Sequence, residues 1–187
     1  MTRVLVSGVA ALVKSVSDRL RADGADVDEV TRLVDVPATC ASAGAGVYDA
    51  YVQLPSTFQP VGETAIDRVY SYYADGVLAR FGAMKAALPS LTTPARLVFV
   101  MGILPPDVAS DQDVQARRAL TNVLAQAARV DRGERPISVR LLDSSADPAD
   151  IAAEALGTAV HRHDLPATYF DDDDWRIEML GLASIEL

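Results

Sequence analysis

The chain has few of the features that mark secreted or membrane proteins. Its single cysteine, Cys40, cannot form an internal disulfide, and Met1 to Val13 lacks the length and the small-residue cleavage pattern of a signal peptide. No apolar run approaches the roughly 18 to 20 residues that a membrane span requires. The sequence therefore predicts a soluble, cytoplasmic protein with no membrane association.

Basic residues are also scarce. The 187 residues include 17 Lys and Arg against 26 Asp and Glu, which gives a formal net charge of -9. A negative net charge opposes nonspecific attraction to nucleic acid or to an anionic membrane, and no basic patch is evident in the sequence to offset it. We therefore expect neither nucleic acid nor a membrane surface as a partner.

Glycine is missing where a nucleotide-binding turn needs it. Val4 to Gly8 is typical of a buried strand that runs into a turn. A dinucleotide-binding turn requires small residues, so that backbone N–H groups at the next helix can approach a pyrophosphate. After Gly8 the chain instead carries branched side chains, including Leu12, and the long cation of Lys14. The pattern indicates a nucleotide-binding architecture without its usual chemistry.

Strand-like and helix-like segments alternate along the chain. The predicted strands are Arg3 to Val6, Asp26 to Val34, Tyr48 to Leu54, Arg96 to Met101 and Pro136 to Leu142, with Arg176 to Leu187 as a candidate last strand. The predicted helices are Ala10 to Ala22, Glu63 to Leu88, Asp111 to Val130 and a helix capped at Asp147 that reaches Leu156. Residues 36–46 are rich in Ala, Gly, Pro and Ser and predict a connection. This order predicts one α/β domain over residues 1–187, with a Rossmann-like, doubly wound parallel sheet in a three-layer αβα arrangement.

Potential metal ligands occur near the carboxyl end of the sequence. His161 and His163 precede four consecutive aspartates, Asp171 to Asp174. His-x-His on a strand would place both imidazoles on one face. Adjacent aspartates repel one another and favour solvent, so we interpret residues 161–175 as a polar, acidic surface segment and predict no metal site.

The ordered series of segments resembles the short-chain dehydrogenase/reductase family. Val4 to Gly8 resembles the first strand and Thr-Gly turn of that family, and Asp49 to Pro55 resembles its Asp-x-x-Val-Asn-Asn-Ala segment. Three other segments match its helices and second strand: Leu20 to Val27, Gly76 with Ala86 to Pro89, and Asp147 to Leu156. The resemblance spans nearly the whole chain and implies the Rossmann-like fold together with an NAD(P) cofactor.

The cofactor motifs of that family are mostly absent. Its turn Thr-Gly-x-x-x-Gly-x-Gly, laid on Ser7, places Leu12 and Lys14 at the second and third glycines. Its paired asparagines fall on Gln53 and Leu54. If a nucleotide binds, the resemblance implies Ser7, Gly8 and Gln53 as its surviving contacts.

The catalytic residues of that family are replaced as well. The Tyr-x-x-x-Lys pair falls on Asp113 and Arg117, and the helix asparagine falls at about Tyr73. Ser110 is the nearest serine to the expected catalytic position, but it comes late in the loop. An aspartate is already ionised near neutral pH, so it cannot replace the tyrosine as the proton donor. The loop between Leu142 and Asp147 is also too short for the usual substrate lid.

Two hypotheses follow for the function. In the first, the protein is a noncatalytic, short-chain-dehydrogenase-like pseudo-subunit that pairs with an active reductase or with itself and needs no cofactor. The resemblance implies an interface on the two long helices, formed by Val77, Phe81, Leu120, Val123, Leu124 and Ala127. In the second, it is an NAD(P)-dependent oxidoreductase or small-ligand binder with an altered nucleotide site, in which Asp113 or Ser110 takes an unusual proton-transfer role.

Overall fold

Five parallel strands form the centre of the protein. The computed structural model describes residues 1–55, 61–101, 111–143 and 146–159. The strands are β1 (Arg3–Ser7), β2 (Asp26–Val30), β3 (Tyr48–Gln53), β4 (Leu91–Val100) and β5 (Ile137–Leu142), in the spatial order β2-β1-β3-β4-β5. Every neighbouring pair is parallel. The predicted Rossmann-like α/β fold class is confirmed.

Helices cover both faces of the sheet. They are α1 (Ala10–Ala22), α2 (Val36–Ala43), α3 (Ala65–Ser71), α4 (Leu78–Ala87), α5 (Asp111–Asp131) and α6 (Pro148–Leu156). Because side chains alternate along a strand, Val4 and Val6 pack with α1 and α6, whereas Leu5 packs with α2, α4 and α5. One apolar cluster lies on each face of the sheet, between the strands and the covering helices. This is the three-layer αβα arrangement that the alternating sequence predicts.

The prediction of a connection over residues 36–46 is wrong. This segment contains α2, preceded by a 3₁₀ turn at Leu33–Asp35. Pro37 lies in the first turn of the helix, where its missing N–H is not needed. Val36 and Cys40 are one turn apart and both are buried. Tertiary packing therefore stabilises a helix that the Ala, Pro and Ser composition does not predict.

The long helix predicted over Glu63 to Leu88 is interrupted. Between α3 and α4 the segment Tyr72–Val77 forms a π-helical turn, in which the N–H of Leu78 donates to the carbonyl of Tyr73. After α4 the chain makes a 3₁₀ turn at Leu88–Ser90 and enters β4 at once. The predicted stop at Pro89 therefore agrees with the structure.

Two strand boundaries differ from the predicted ones by more than one residue. β2 ends at Val30, four residues before its predicted end, and β4 begins at Leu91, five residues before its predicted start. The candidate last strand and the acidic segment at 161–175 lie outside the described residues. No helix in the part of the chain that the structure describes is long and apolar enough to cross a membrane.

The start of α6 provides a test of the sequence-predicted cap. One carboxylate oxygen of Asp147 accepts hydrogen bonds from the backbone N–H groups of Ala149 (2.8 Å) and Asp150 (2.9 Å), and Pro148 opens the helix. We expect Asp147→Ala to lower the free energy of unfolding by about 1 kcal/mol, because both N–H groups lose their acceptor. Urea denaturation measures the change, and Asp147→Asn, which keeps an acceptor oxygen, is the control. Equal losses in both variants would contradict a capping role.

Candidate functional site

The candidate site lies at the carboxyl ends of β1 and β3. β1 connects through α1 to β2 on one side, and its other neighbour in the sheet is β3. Open parallel sheets bind ligands in the crevice at such a switch point. Ser7 and Gln53, the last residues of β1 and β3, are directly paired in the register of the two strands.

Both side chains point into the protein at this edge of the sheet. Ser7 and Gln53 are fully buried, as is Tyr51 on the same face of β3. The hydroxyl oxygens of Ser7 and Tyr51 are 2.8 Å apart in a hydrogen bond, and the amide nitrogen of Gln53 donates to the Tyr51 hydroxyl at 3.1 Å. Ser7 and Gln53, two of the three predicted cofactor contacts, therefore form hydrogen bonds with Tyr51.

Arg80 of α4 completes this polar network. Its Nε donates to the amide oxygen of Gln53 at 3.0 Å, and the Gln53 amide nitrogen donates back to the Arg80 carbonyl at 3.1 Å. Its Nη2 donates to the carbonyl of Val100, the last residue of β4, at 3.4 Å. We call Ser7, Tyr51, Gln53 and Arg80 the edge network. It joins three strands to α4 beneath the candidate crevice.

Burial changes the chemistry of the tyrosine in the edge network. Desolvation raises the pKa of Tyr51 to about 12, although hydrogen bonds from Ser7 and Gln53 and the nearby charge of Arg80 act in the opposite direction. The phenol therefore stays protonated at physiological pH. Its neutral hydroxyl serves as a structural hydrogen-bonding group between β1 and β3.

Gly8, at the turn that follows β1, packs closely against Leu54 and Pro55. Its φ is +145°, and an added Cβ would lie 2.7 Å from the Cβ of Leu54 and 2.9 Å from the carbonyl oxygen of Pro55. The N–H of Val9 also donates to that Pro55 oxygen at 2.9 Å. The space that a small residue provides at this turn is thus filled by the segment that follows β3.

Leu12 and Lys14 occupy the exposed first turns of α1. Leu12 is 42% exposed. The Lys14 ammonium lies 2.7 Å from a carboxylate oxygen of Asp18, one helical turn away, and this hydrogen bond raises the lysine pKa. The charge of Lys14 therefore has an acidic neighbour on its own helix.

The catalytic positions inferred from the resemblance fall mostly outside the side chains that the structure describes. Ser110 lies outside the described residues. Asp113 and Arg117 belong to α5, but the structure describes only their backbone. Tyr73 is 55% exposed in the π-helical turn. The chain has only two lysines, Lys14 and Lys85, and the residues four positions earlier are Ala10 and Phe81. A Tyr-x-x-x-Lys pair therefore occurs nowhere in the sequence.

The described residues show no metal-binding cluster. Within these ranges no three His, Cys, Asp or Glu side chains are placed to hold one ion. The candidate ligands His161, His163 and Asp171 to Asp174 lie outside the ranges. Cys40 is buried, and desolvation raises the pKa of its thiol, which favours the unreactive protonated form.

The predicted interface residues divide between the core and the surface. Leu124 is 1% exposed and belongs to the core between the sheet and α5. Phe81 and Ala127 are partly buried against the same cluster, and Val77 and Leu120 are half-buried. Val123 is 42% exposed. Of the six predicted residues, Val123 is thus the most available to a partner.

Several solved structures resemble this chain in fold, and some of them are named as dehydrogenases. The protein lin1944 from Listeria innocua superposes with a TM-score of 0.61 at 14% identity, over 86% of this chain and 96% of that one. A small-chain dehydrogenase gives 0.55 at 16% identity, over 83% and 88%. BdcA in complex with NADPH gives 0.51 at 17% identity, over 75% and 68%. No protein-family model matches the sequence, and no curated protein matches it.

These likenesses agree in architecture with the sheet and helices of this chain. At 14 to 17% identity they show a shared fold and leave the activity of this chain open. The chain therefore has the Rossmann-like fold found in short-chain dehydrogenase structures.

Proposed function

We propose that this protein is a noncatalytic, dehydrogenase-like subunit that serves a structural or regulatory role by pairing with an active reductase or with itself. The observation that carries the proposal is the edge network. Ser7 and Gln53 are the polar side chains expected to contact a nucleotide, and both are buried and bonded within the chain. A side chain engaged in this way is not available to hold a ribose or a nicotinamide.

Two further features support the absence of turnover. The backbone N–H groups of Gly8 and Val9 donate to the carbonyls of Val30 (3.1 Å) and Pro55 (2.9 Å) within the chain, so both are already bonded at the turn where a pyrophosphate would be held. The chain also has no Tyr-x-x-x-Lys pair to donate a proton to a carbonyl substrate. Cofactor binding and proton transfer are therefore weakened independently of each other.

Calorimetric titration with NADH and NADPH, each taken to millimolar concentration, tests the proposal. We expect no saturable heat from the full chain, whereas an intact short-chain dehydrogenase titrated under the same conditions gives the positive control. Saturable binding of either dinucleotide would contradict a cofactor-free role. Gly8 substitutions are unsuitable probes here, because they alter the packing against Leu54 before they alter any ligand contact.

An altered NAD(P) site is the second candidate function. It is favoured by the likeness to BdcA, which was solved in complex with NADPH. In that case a dinucleotide would approach Ser7 and Gly8 through backbone groups and would have to pass the exposed side chain of Leu12. The same titration decides between the two candidates, since this one requires saturable binding.

A further inference from the structure

We propose that four arginines beside β5 form a binding site for a compact, phosphate-bearing anion. We call Arg96, Arg129, Arg132 and Arg140 the arginine cluster. They come from β4, from α5 and the turn that follows it, and from β5, the last strand of the described sheet. These positions are far apart in the sequence, so a basic patch becomes visible only in the fold. The site is separate from the crevice at the ends of β1 and β3 and does not depend on the proposed function.

Arg96 and Arg140 lie on the face of the sheet that α6 covers. Arg96 pairs with Ser138 in the register of β4 and β5, and Arg140, two residues further along β5, shares the face of Ser138. The Arg96 guanidinium lies against Gly157 at the C-cap of α6, where an added Cβ would overlap it. The Nε of Arg140 lies 3.7 Å from a carboxylate oxygen of Glu154. Both guanidiniums therefore lie near the carboxyl-terminal end of α6.

Arg129 and Arg132 approach β5 from the end of α5. Nη1 of Arg132 donates to the carbonyl of Ile137, the first residue of β5, while its Nε is buried with no hydrogen-bond partner among the described residues. Partial desolvation and the nearby charges of Arg132 and Arg140 lower the pKa of Arg129. The three guanidiniums are thus close enough to repel one another, and a buried donor beside them has no acceptor.

Few carboxylates compensate the arginine cluster in the described part of the chain. Within those ranges, Arg96, Arg129 and Arg132 form no ion pair. On α1, by contrast, Lys14 and Arg19 each pair with an aspartate one turn away. Uncompensated cations are unexpected in a chain whose formal net charge is -9. An anion bound among these guanidiniums would relieve their repulsion and satisfy the free donor.

The chemistry of the arginine cluster favours a phosphate group. A guanidinium presents parallel N–H donors that match two oxygens of a phosphate, and several guanidiniums can surround one such group. The acidic remainder of the chain would repel a long polyanion such as nucleic acid. A compact anion with concentrated charge avoids that repulsion. We therefore expect pyrophosphate to bind at sub-millimolar concentration and inorganic phosphate to bind more weakly.

Calorimetric titration of the full chain with pyrophosphate and with inorganic phosphate, at one fixed ionic strength, tests the proposal. We expect Arg129→Gln to weaken pyrophosphate binding by at least about 10-fold, because a charged hydrogen-bonding group is lost from the site. Arg19→Gln is the matched control, since it removes the same charge from a surface pair with Asp23 on α1. Its affinity for pyrophosphate should stay within about 2-fold of the wild type.

Arg140→Gln provides a second variant of the arginine cluster, and thermal melts confirm that all three variants fold. A wild-type chain that binds neither anion would overturn the proposal, as would unchanged affinity in both Arg129→Gln and Arg140→Gln. An equal loss in Arg19→Gln would also overturn it, because the binding would then depend on net charge alone.

Dinucleotide binding is measured separately, in phosphate buffer that keeps the arginine cluster occupied. NADH binding that persists in this buffer, and in Arg129→Gln, occurs elsewhere on the protein. It would contradict the proposed cofactor-free role without affecting the arginine cluster, so the two proposals can fail independently.

Discussion

Gly8→Ala is expected to lower the free energy of unfolding by about 3 kcal/mol, which is a large effect for the addition of one methyl group. The new Cβ would lie 2.7 Å from the Cβ of Leu54 and 2.9 Å from the carbonyl oxygen of Pro55. Neither atom lies at the end of a flexible side chain, so relief of the contact requires a backbone shift between the turn after β1 and the segment after β3. The φ of +145° adds backbone strain for any residue other than glycine.

Gly24→Ala is the matched control for this prediction. Gly24 also has a positive φ, +88°, but an added Cβ there meets nothing within 4 Å. We therefore expect a loss of about 1 kcal/mol at Gly24, which measures backbone strain alone. Urea denaturation of both variants separates strain from collision. Equal losses at the two positions would show that Leu54 and Pro55 do not fill the turn as described.

Much of the sheet could be predicted because its strands are short, apolar and bounded by breakers. β4 contains Leu97 to Val100, a run that is buried on both faces. Such an apolar run is typical of a central parallel strand. α2 cannot be predicted in this way, because its stability comes from the burial of Val36 and Cys40 against distant elements. A composition of Ala, Pro and Ser carries no sign of that packing, so local sequence favoured a connection.

The candidate site could be located from the sequence, but its chemistry could not be. Ser7 and Gln53 lie together at the ends of β1 and β3, because a parallel sheet brings the carboxyl ends of neighbouring strands together. Tyr51 could have been recognised as a neighbour of Gln53, because residues two apart share one face of a strand. Arg80 is 27 residues beyond Gln53 on a helix, and no local signal predicts that its guanidinium reaches that amide.

Tyr51→Phe is expected to lower the free energy of unfolding by about 2 kcal/mol at neutral pH. The substitution keeps the aromatic ring but removes the hydroxyl that bonds to Ser7 and accepts from Gln53. Ser7 is fully buried, and a buried hydroxyl without its partner costs about 1 to 3 kcal/mol. Denaturation of the variant against the wild type measures the loss, and Tyr70→Phe, at a tyrosine that is 74% exposed, provides the control.

The loss in Tyr51→Phe should itself depend on pH in the alkaline range. Because burial raises the pKa of Tyr51 to about 12 from 10.0, the folded state favours the neutral phenol. Its contribution to stability is complete below pH 10 and is lost as the pH rises through 12, by about 1.4 kcal/mol at pH 11. The difference between wild type and Tyr51→Phe should therefore shrink by that amount between pH 9 and pH 11. A constant difference for Tyr51→Phe would mean that water reaches the phenol, and the edge network would then not be the closed structural element on which the noncatalytic role depends.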